Sequence, residues 1–473
     1  MMEPFARRAL PVAAVDPSHD GAGAPRWTRG PAAAALLDPA PHFGDGAAFL
    51  PHVVAWNLTK RCNLACSHCY ISAGSWHAAE GELSTAECHR ILDEILEVNS
   101  NPVMILSGGE PLLREDLEEI AHHASTAGAT VVVGTNGTRL TGPRIASLQR
   151  AGVTGVAISV DSLRPEYHDR FRHGQGALTE TLGAVGRLRE AGLDFIVQTS
   201  LTRGNRSELR DLVAWSADEG AVSFNLYFLV PTGRGEAMKG LSPEENEGVL
   251  EELVSLEREY RGRMMIRSKC QPQLMRHVLQ GDPDSPLLNY RTRCPCGVQY
   301  CRITPEGKLT PCPYTPVVAG DLRETGFREV WERSSVFHAL RHGELGGRCG
   351  ACEFRSVCGG CRARAYAMTG DLLGPDDSCA YDPPGDRPVF EPARAVTYGA
   401  ASEPTLPWSA EAEERMRRIP SFVRGVVTSR VESFARERGY ERVDLEVMAE
   451  VRRNMPVDFS KRLPFFLRRG GEA

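Results

Sequence analysis

Short, nearly continuous apolar runs alternate with longer amphipathic stretches between His52 and about Pro231. The runs are Val53–Leu58, Val103–Ser107, Thr130–Thr135, Val156–Val160, Phe195–Leu201 and Phe224–Val230. Being apolar at successive rather than alternate positions, they predict strands covered on both faces, as in a parallel sheet built from βα units. Six such units fit a partial (β/α)6 barrel of the TIM type, so the expected class is α/β. The stretches between them carry helix signals. Ser84 with Glu87 three residues on makes a capping box, Thr141 precedes Pro143, and Gly128 and Gly152 suit helix C-terminal turns.

Elsewhere the pattern changes. Residues 1–45 are rich in Ala, Pro, Gly and Asp with no apolar period, which predicts a flexible leader. From about Cys294 to Cys379, Gly, Pro and Cys interrupt short apolar runs, and ITPEGKLTPCPY predicts a small hairpin in a domain stapled by metal centres. After a Pro-rich stretch, apolar residues return at helical spacing as Met416, Ile419, Val423, Val427, Val431 and Phe434, with Pro420 placed to break or kink the helix. A further short helix begins near Asp444. The expected layout is the leader 1–45, the α/β core 46–270, a small Cys-rich domain 271–382, a linker 383–405, a short all-α C-terminal domain 406–458 and a tail 459–473.

Composition narrows this picture modestly. The 473 residues are 42% hydrophobic and 25% charged, ordinary values for a globular chain with two or more packing units. A net charge of -6 provides no basic field, so nucleic acid is not an expected partner. No apolar stretch approaches the roughly 20 residues of a membrane span, and no secretory h-region opens the chain, so no transmembrane segment and a cytoplasmic location are expected. The 14 cysteines are clustered, three at Cys62–Cys69 and ten between Cys270 and Cys379. Clustering without a signal peptide favours metal ligation over disulfides.

In WNLTKRCNLACSHCY, Cys62, Cys66 and Cys69 stand as C-x3-C-x2-C on the loop after the first predicted strand, where barrel active sites are built. Three thiolates around a cubane of four irons leave one iron open to a small molecule. A structural zinc site would want a fourth ligand, for which His68 is the candidate, although its place inside the tight loop is awkward. Ser107-Gly108-Gly109-Glu110-Pro111 ends the second strand, and its glycines let main chain approach a ligand. Asn136, Ser159, Asp161 and Gln198 put polar groups at later strand ends, where they either line a ligand site or cap helices.

Together these residues resemble the radical S-adenosylmethionine (SAM) superfamily. The resemblance implies a SAM-binding 4Fe-4S cluster on Cys62, Cys66 and Cys69, whose open iron binds SAM and cleaves it to methionine and a 5′-deoxyadenosyl radical. It makes these cysteines the catalytic centre. It also implies that Tyr70, Gly108, Gly109 and Glu110 adjoin SAM, the GGE backbone receiving its amino group. Asn136, Ser159, Asp161 and Gln198 then face its ribose and methionine portions, and Arg234 reaches the adenosine or carboxylate.

Cys296, Cys301 and Cys312, followed by Cys349-x2-Cys352-x5-Cys358-x2-Cys361 and Cys379, resemble the SPASM extension of radical SAM maturases. Matching residue by residue gives one auxiliary 4Fe-4S cluster to Cys296, Cys301, Cys312 and Cys361, and another to Cys349, Cys352, Cys358 and Cys379. The gap before Cys361 is one residue shorter than the usual pattern, so Cys294 is a substitute ligand and one or two auxiliary clusters remain open. Zinc ribbons also pair C-x2-C motifs. Cys88 and Cys270 fit neither set and are expected to be buried thiols.

The same phrases, with CGGCRARAYAMTGDLLGPDDSC, are similar to radical SAM proteins of haem d1 and alternative haem biosynthesis. The segment PWSAEAEERMRRIPSFVRGVVTSRVESFARERGY resembles the small domain of dark-operative protochlorophyllide reductase. The implied activity is modification of a tetrapyrrole side chain, with a ferredoxin or flavodoxin type reductant and with Arg234, Arg362 and Arg364 as candidate partners of substrate carboxylates. The alternatives are a maturase acting on a ribosomally made peptide and a non-catalytic iron-sulfur electron carrier.

Overall fold

Ten strands form one sheet in the order β10-β9-β8-β1-β2-β3-β4-β5-β6-β7 in a computed structural model of the chain. It describes residues 49–77, 79–282, 285–289, 293–390, 404–417 and 421–453. The expected leader 1–45 and tail 459–473 lie outside these residues, as do Ile419, Pro420 and the side chain of Val423. The strands are β1 (Val53–Asn57), β2 (Val103–Ser107), β3 (Thr130–Thr135), β4 (Val153–Ser159), β5 (Asp194–Leu201), β6 (Ser223–Phe228), β7 (Met265–Lys269), β8 (Tyr300–Ile303), β9 (Lys308–Thr310) and β10 (Gly320–Asp321).

The first six strands fall where the apolar runs predict them. β4 begins earlier than expected, at Val153, and β6 stops earlier, at Phe228. From β8 through β1 to β7 every neighbour is parallel, whereas β9 and β10 run antiparallel. The expected hairpin is β8–β9, but it is no separate sheet. β8 pairs with β1, Val53 opposite Tyr300 and Trp56 opposite Ile303, so the sheet runs across the expected boundary at 270. Two parallel strands, β7 and β8, thus extend the six units.

Strand alternation gives the sheet two chemically different faces. Val54, Trp56, Met104, Leu106, Val131, Val133, Phe224, Leu226, Ile266, Cys301 and Ile303 face outward into the main apolar core beneath the helices. Val103, Val132 and Ala157, with Val53, Ile105, Ile196 and Met265 against them, fill the inner floor. Helix Thr85–Val98 starts with the expected reciprocal Ser84–Glu87 capping box, and helix Gly142–Arg150 starts at Thr141.

The C-terminal helices Ala410–Arg417, Ser421–Glu437 and Leu445–Arg453 bury Ala412, Val431, Ala435, Val443, Val447 and Val451 in their own small core. Glu432, 1% exposed, accepts from Thr405 N (2.7 Å), Leu406 N (3.1 Å) and Trp408 Nε1 (3.1 Å), which ties the entering chain to the middle helix. No described helix is long and apolar enough to cross a membrane.

Candidate active site and cysteine centres

The loop leaving β1 is closed on itself by Cys62 N to Gly74 O and Gly74 N to Lys60 O, both 3.2 Å. Within it Cys62 and Cys66 are buried and Cys69 is half-buried. Each thiol meets a donor: Leu64 N at 3.4 Å from Cys62 Sγ, Ala73 N at 3.3 Å from Cys69 Sγ, and Arg172 Nη1 at 3.9 Å from Cys66 Sγ. Such donors favour thiolate, the form that ligates iron. Burial nonetheless pushes the Cys62 thiol up to about 12. Three thiols crowded on one loop, each facing a donor, are the donor set that an iron-sulfur cluster takes.

The end of β2 packs directly on this loop, and only glycine permits it. A Cβ on Gly108, whose φ is 146°, would meet Thr59 O at 2.5 Å, and one on Gly109 would meet Arg61 O at 2.2 Å. Gly109 N and Glu110 N donate to those two carbonyls at 2.7 and 2.9 Å. A SAM amino group needs acceptors, so the motif's own carbonyls are what it can offer.

Several residues expected at SAM are held by protein partners. Glu110 is fully buried and accepts from Thr135 Oγ1 (2.7 Å), Asn136 N (2.9 Å) and Leu112 N (3.2 Å), a bracket between the ends of β2 and β3. Asp161 is fully buried too, against Arg172 (2.6 Å) and Ser200 N (2.7 Å). Burial opposes its charge, but Arg172 holds its carboxyl below the ordinary range. Arg234 clamps the cysteine loop, with Nε on Cys66 O and Nη1 on Ala73 O, both 2.8 Å. Its Nη2 alone is buried without a partner among the described residues.

Asn136 bridges Asn63 Oδ1 (3.0 Å) and Cys62 Sγ (3.9 Å). Ser159 and Gln198 sit at inward positions of β4 and β5, and Gln198 Nε2 donates to Tyr227 OH at 3.2 Å. Tyr70 OH accepts from Asn57 Nδ2 at 2.8 Å, and its ring lies 5.2 Å from that of Tyr314. His68, the alternative zinc ligand, stacks on Phe171 at 4.5 Å. Arg172 carried no motif: it is polar in a helix of alternating charge, and only folding sets it beside Cys66.

The second cysteine group differs from expectation at one ligand set. Cys294 Sγ lies 3.3 Å from Cys296 Sγ. Cys361 is in hydrogen-bonding contact with Cys294 and Cys270, and Cys296 with Cys312. Five thiols therefore meet: Cys270, Cys294, Cys296, Cys312 and Cys361. Cys301 is not among them. It belongs to the phase of β8 that faces outward, opposite Val54, where it is fully buried in the apolar core. Cys270 is no isolated thiol but ends β7 in a left-handed conformation, φ 61°.

Cys349, Cys352, Cys358 and Cys379 form the other group, Cys358 adjoining Cys349 and Cys379, and Cys352 adjoining Cys349. The shortened gap is explained by Gly359 and Gly360, both left-handed at φ 63° and 69°, which reverse the chain so that Cys358 and Cys361 serve different groups. Asp376 links the groups, accepting from Cys361 N (2.7 Å) and Arg364 Nη1 (3.2 Å), while its own N donates to Cys349 Sγ (3.4 Å). Arg362 and Arg364 are buried and bound to the carbonyls of Gly374 and Leu229 respectively, and Arg362 Nη2 is without a partner among the described residues.

Replacing two of the five thiols that meet, Cys296 and Cys361, by Ser is expected to lower the iron content of the reconstituted protein by one cluster, whereas Cys301→Ala leaves it at the wild-type value. Equal iron loss in both would return Cys301 to the ligand set.

Family models match the radical SAM superfamily over residues 56–215, an iron-sulfur cluster-binding (SPASM) domain over 294–361, and the proto-chlorophyllide reductase 57 kD subunit over 408–452. The chain belongs to the radical SAM superfamily, as an enzyme whose core binds a 4Fe-4S cluster and SAM and whose SPASM domain binds auxiliary iron-sulfur clusters. It is 39% identical to the AdoMet-dependent heme synthase of Methanosarcina barkeri over 343 residues, 70% of this chain and 97% of that one. It is 31% identical to the pre-heme d1 synthase of Dinoroseobacter shibae, covering 69% and 87%, and 33% identical to the mycofactocin maturase MftC of Mycobacterium tuberculosis, covering 70% and 83%. The fold is shared with Streptococcus suis SuiB bound to S-adenosylmethionine, TM-score 0.59 at 14% identity over 70% of this chain and 78% of that one.

Proposed function

We propose that the chain modifies a side chain of an iron tetrapyrrole, by removal of a carboxyl-bearing fragment. The observation that carries this is the 39% identity to a heme synthase over 97% of that protein's length. Iron-sulfur clusters and SAM supply the one-electron chemistry, at one end a radical that abstracts hydrogen and at the other an electron acceptor. The chain's residues do the rest. The core 46–270 holds SAM against the Cys62–Cys69 loop, with Gly108, Gly109, Asn136, Ser159, Gln198 and Arg234 Nη2 as the polar groups within reach. Cys270, Cys294, Cys296, Cys312 and Cys361 form one auxiliary ligand group, with one thiol more than a cubane needs, and Cys349, Cys352, Cys358 and Cys379 the other. A ferredoxin or flavodoxin type reductant and a cytoplasmic location complete the reading.

If a propionate side chain loses hydrogen from the carbon beside the ring, the resulting radical can release carbon dioxide and one electron to leave a vinyl group. The test is anaerobic incubation of the reduced, reconstituted protein with SAM and iron coproporphyrin III or didecarboxysiroheme, followed by mass spectrometry. The expected result is loss of a side-chain fragment together with 5′-deoxyadenosine. The likeness to MftC keeps a peptide maturase as the second reading, and tetrapyrroles that stay unchanged while a peptide is modified would select it.

A further inference from the structure

The inner face of the barrel is divided. On β1 to β4 its positions above the floor are Ala55, Ser107, Gly134 and Ser159, all small, and Asn57. On β6, β7 and β8 they are large and polar: Tyr227 opposite Lys269, Asn225 opposite Arg267, then Tyr300 and Arg302. Alternation fixes this assignment, because Leu226, Ile266, Cys301 and Ile303 occupy the outward phase. Tyr70 and Tyr314 lean in from the loops, and all four tyrosines and Lys269 are half-buried.

Neither Lys269 nor Arg302 is paired with a carboxylate among the described residues; thiols lie beside them, Cys270 near Lys269 and Cys312 near Arg302. Arg302 Nε donates to Asn57 Oδ1 at 2.6 Å, and its guanidinium lies 5.8 Å from the Tyr70 ring centre. Cations turned into a protein interior need an anionic partner, since an unpaired buried charge is costly. A tyrosine wall carrying cations, facing a wall of small residues, has the chemistry of a slot for a flat aromatic macrocycle with acidic arms.

Resting on the tetrapyrrole reading, we infer that Lys269 and Arg302 bind side-chain carboxylates of the substrate and that Tyr70, Tyr227, Tyr300 and Tyr314 pack against its ring. The slot lies between the SAM loop, which Tyr70 follows directly, and the Cys270 group, which Lys269 precedes. The bound side chain is thereby placed between the radical source and the electron acceptor.

The test titrates reconstituted full-length protein, by absorbance, with iron coproporphyrin III and with its tetramethyl ester. Wild type is expected to bind the acid at least about tenfold more tightly than the ester, the scale of one charge-assisted hydrogen bond. Lys269→Met, nearly isosteric, should lose about tenfold for the acid and little for the ester, and Lys269→Arg should recover most of the loss. Equal binding of the acid by wild type and Lys269→Met overturns the inference while the tetrapyrrole reading stands. Failure of wild type to bind either porphyrin overturns both. Loss of iron from Lys269→Met would assign the ammonium to the Cys270 group, and an equal weakening of SAM binding would assign it to the SAM carboxylate; either result overturns the inference.

Discussion

Cys66→Ala should reduce 5′-deoxyadenosine formation to background in the reconstituted enzyme supplied with SAM and a strong reductant. Cys66 is 9% exposed, its carbonyl is held by Arg234 at 2.8 Å, and its sulfur faces the Arg172 guanidinium at 3.9 Å. No neighbouring thiol can take its place, because Cys62 and Cys69 are themselves ligands and Cys88 lies in the outer core beside Arg114. Two thiolates do not retain a cubane against exchange with solvent thiols, so the visible absorbance of the SAM-binding cluster should be lost together with its chemistry. The auxiliary clusters have separate ligands and should survive, leaving residual iron. Cleavage of SAM at the wild-type rate would show that these cysteines are not the site.

How far the sequence discloses this arrangement depends on which physical signal each residue carries. β1 to β6 are legible because strands sheathed on both faces must be apolar nearly throughout, and only their ends, where β4 pairs out of step with β3 at Val131–Val132, escape the pattern. β7 is illegible for the opposite reason. Its inner positions are Arg267 and Lys269, so MIRSK has the composition of a surface segment until β6 pairs with it. Cysteine spacing foretells that the three thiols of the first loop stay together, since three thiols within eight residues cannot separate far. It misleads at Cys301, where a neighbour in sequence points to the other side of a strand, and at Cys270, which the end of β7 delivers to Cys361 from far along the chain. A polar residue at a strand end looks the same in the sequence whether it faces the barrel interior, as at Ser159, or is paired with a buried cation, as at Asp161.

That pairing sets the second large effect, on stability rather than chemistry. Asp161→Ala is expected to cost about 3–5 kcal/mol, because it leaves the Arg172 guanidinium, 8% exposed, without its anion. The loss propagates: Arg172 is also the donor to Cys66, and Ser200 N loses its acceptor. Thermal unfolding of the cluster-loaded protein should therefore shift down by several degrees. Arg172→Met alone should be similarly costly, since it strands a carboxylate at 0% exposure. The double variant Asp161→Leu with Arg172→Met should lose less than either, because replacing both partners removes the stranded charge and leaves mainly the Ser200 N–H unpaired. Losses that simply add would show two independent sites, and the ion pair would not be what fixes the cysteine loop to the helix beneath it. If the double variant recovers stability yet still reduces SAM slowly, the pair has a second use: a cation held 3.9 Å from Cys66 Sγ favours the reduced, more negative cluster, and Asp161 is what keeps it there.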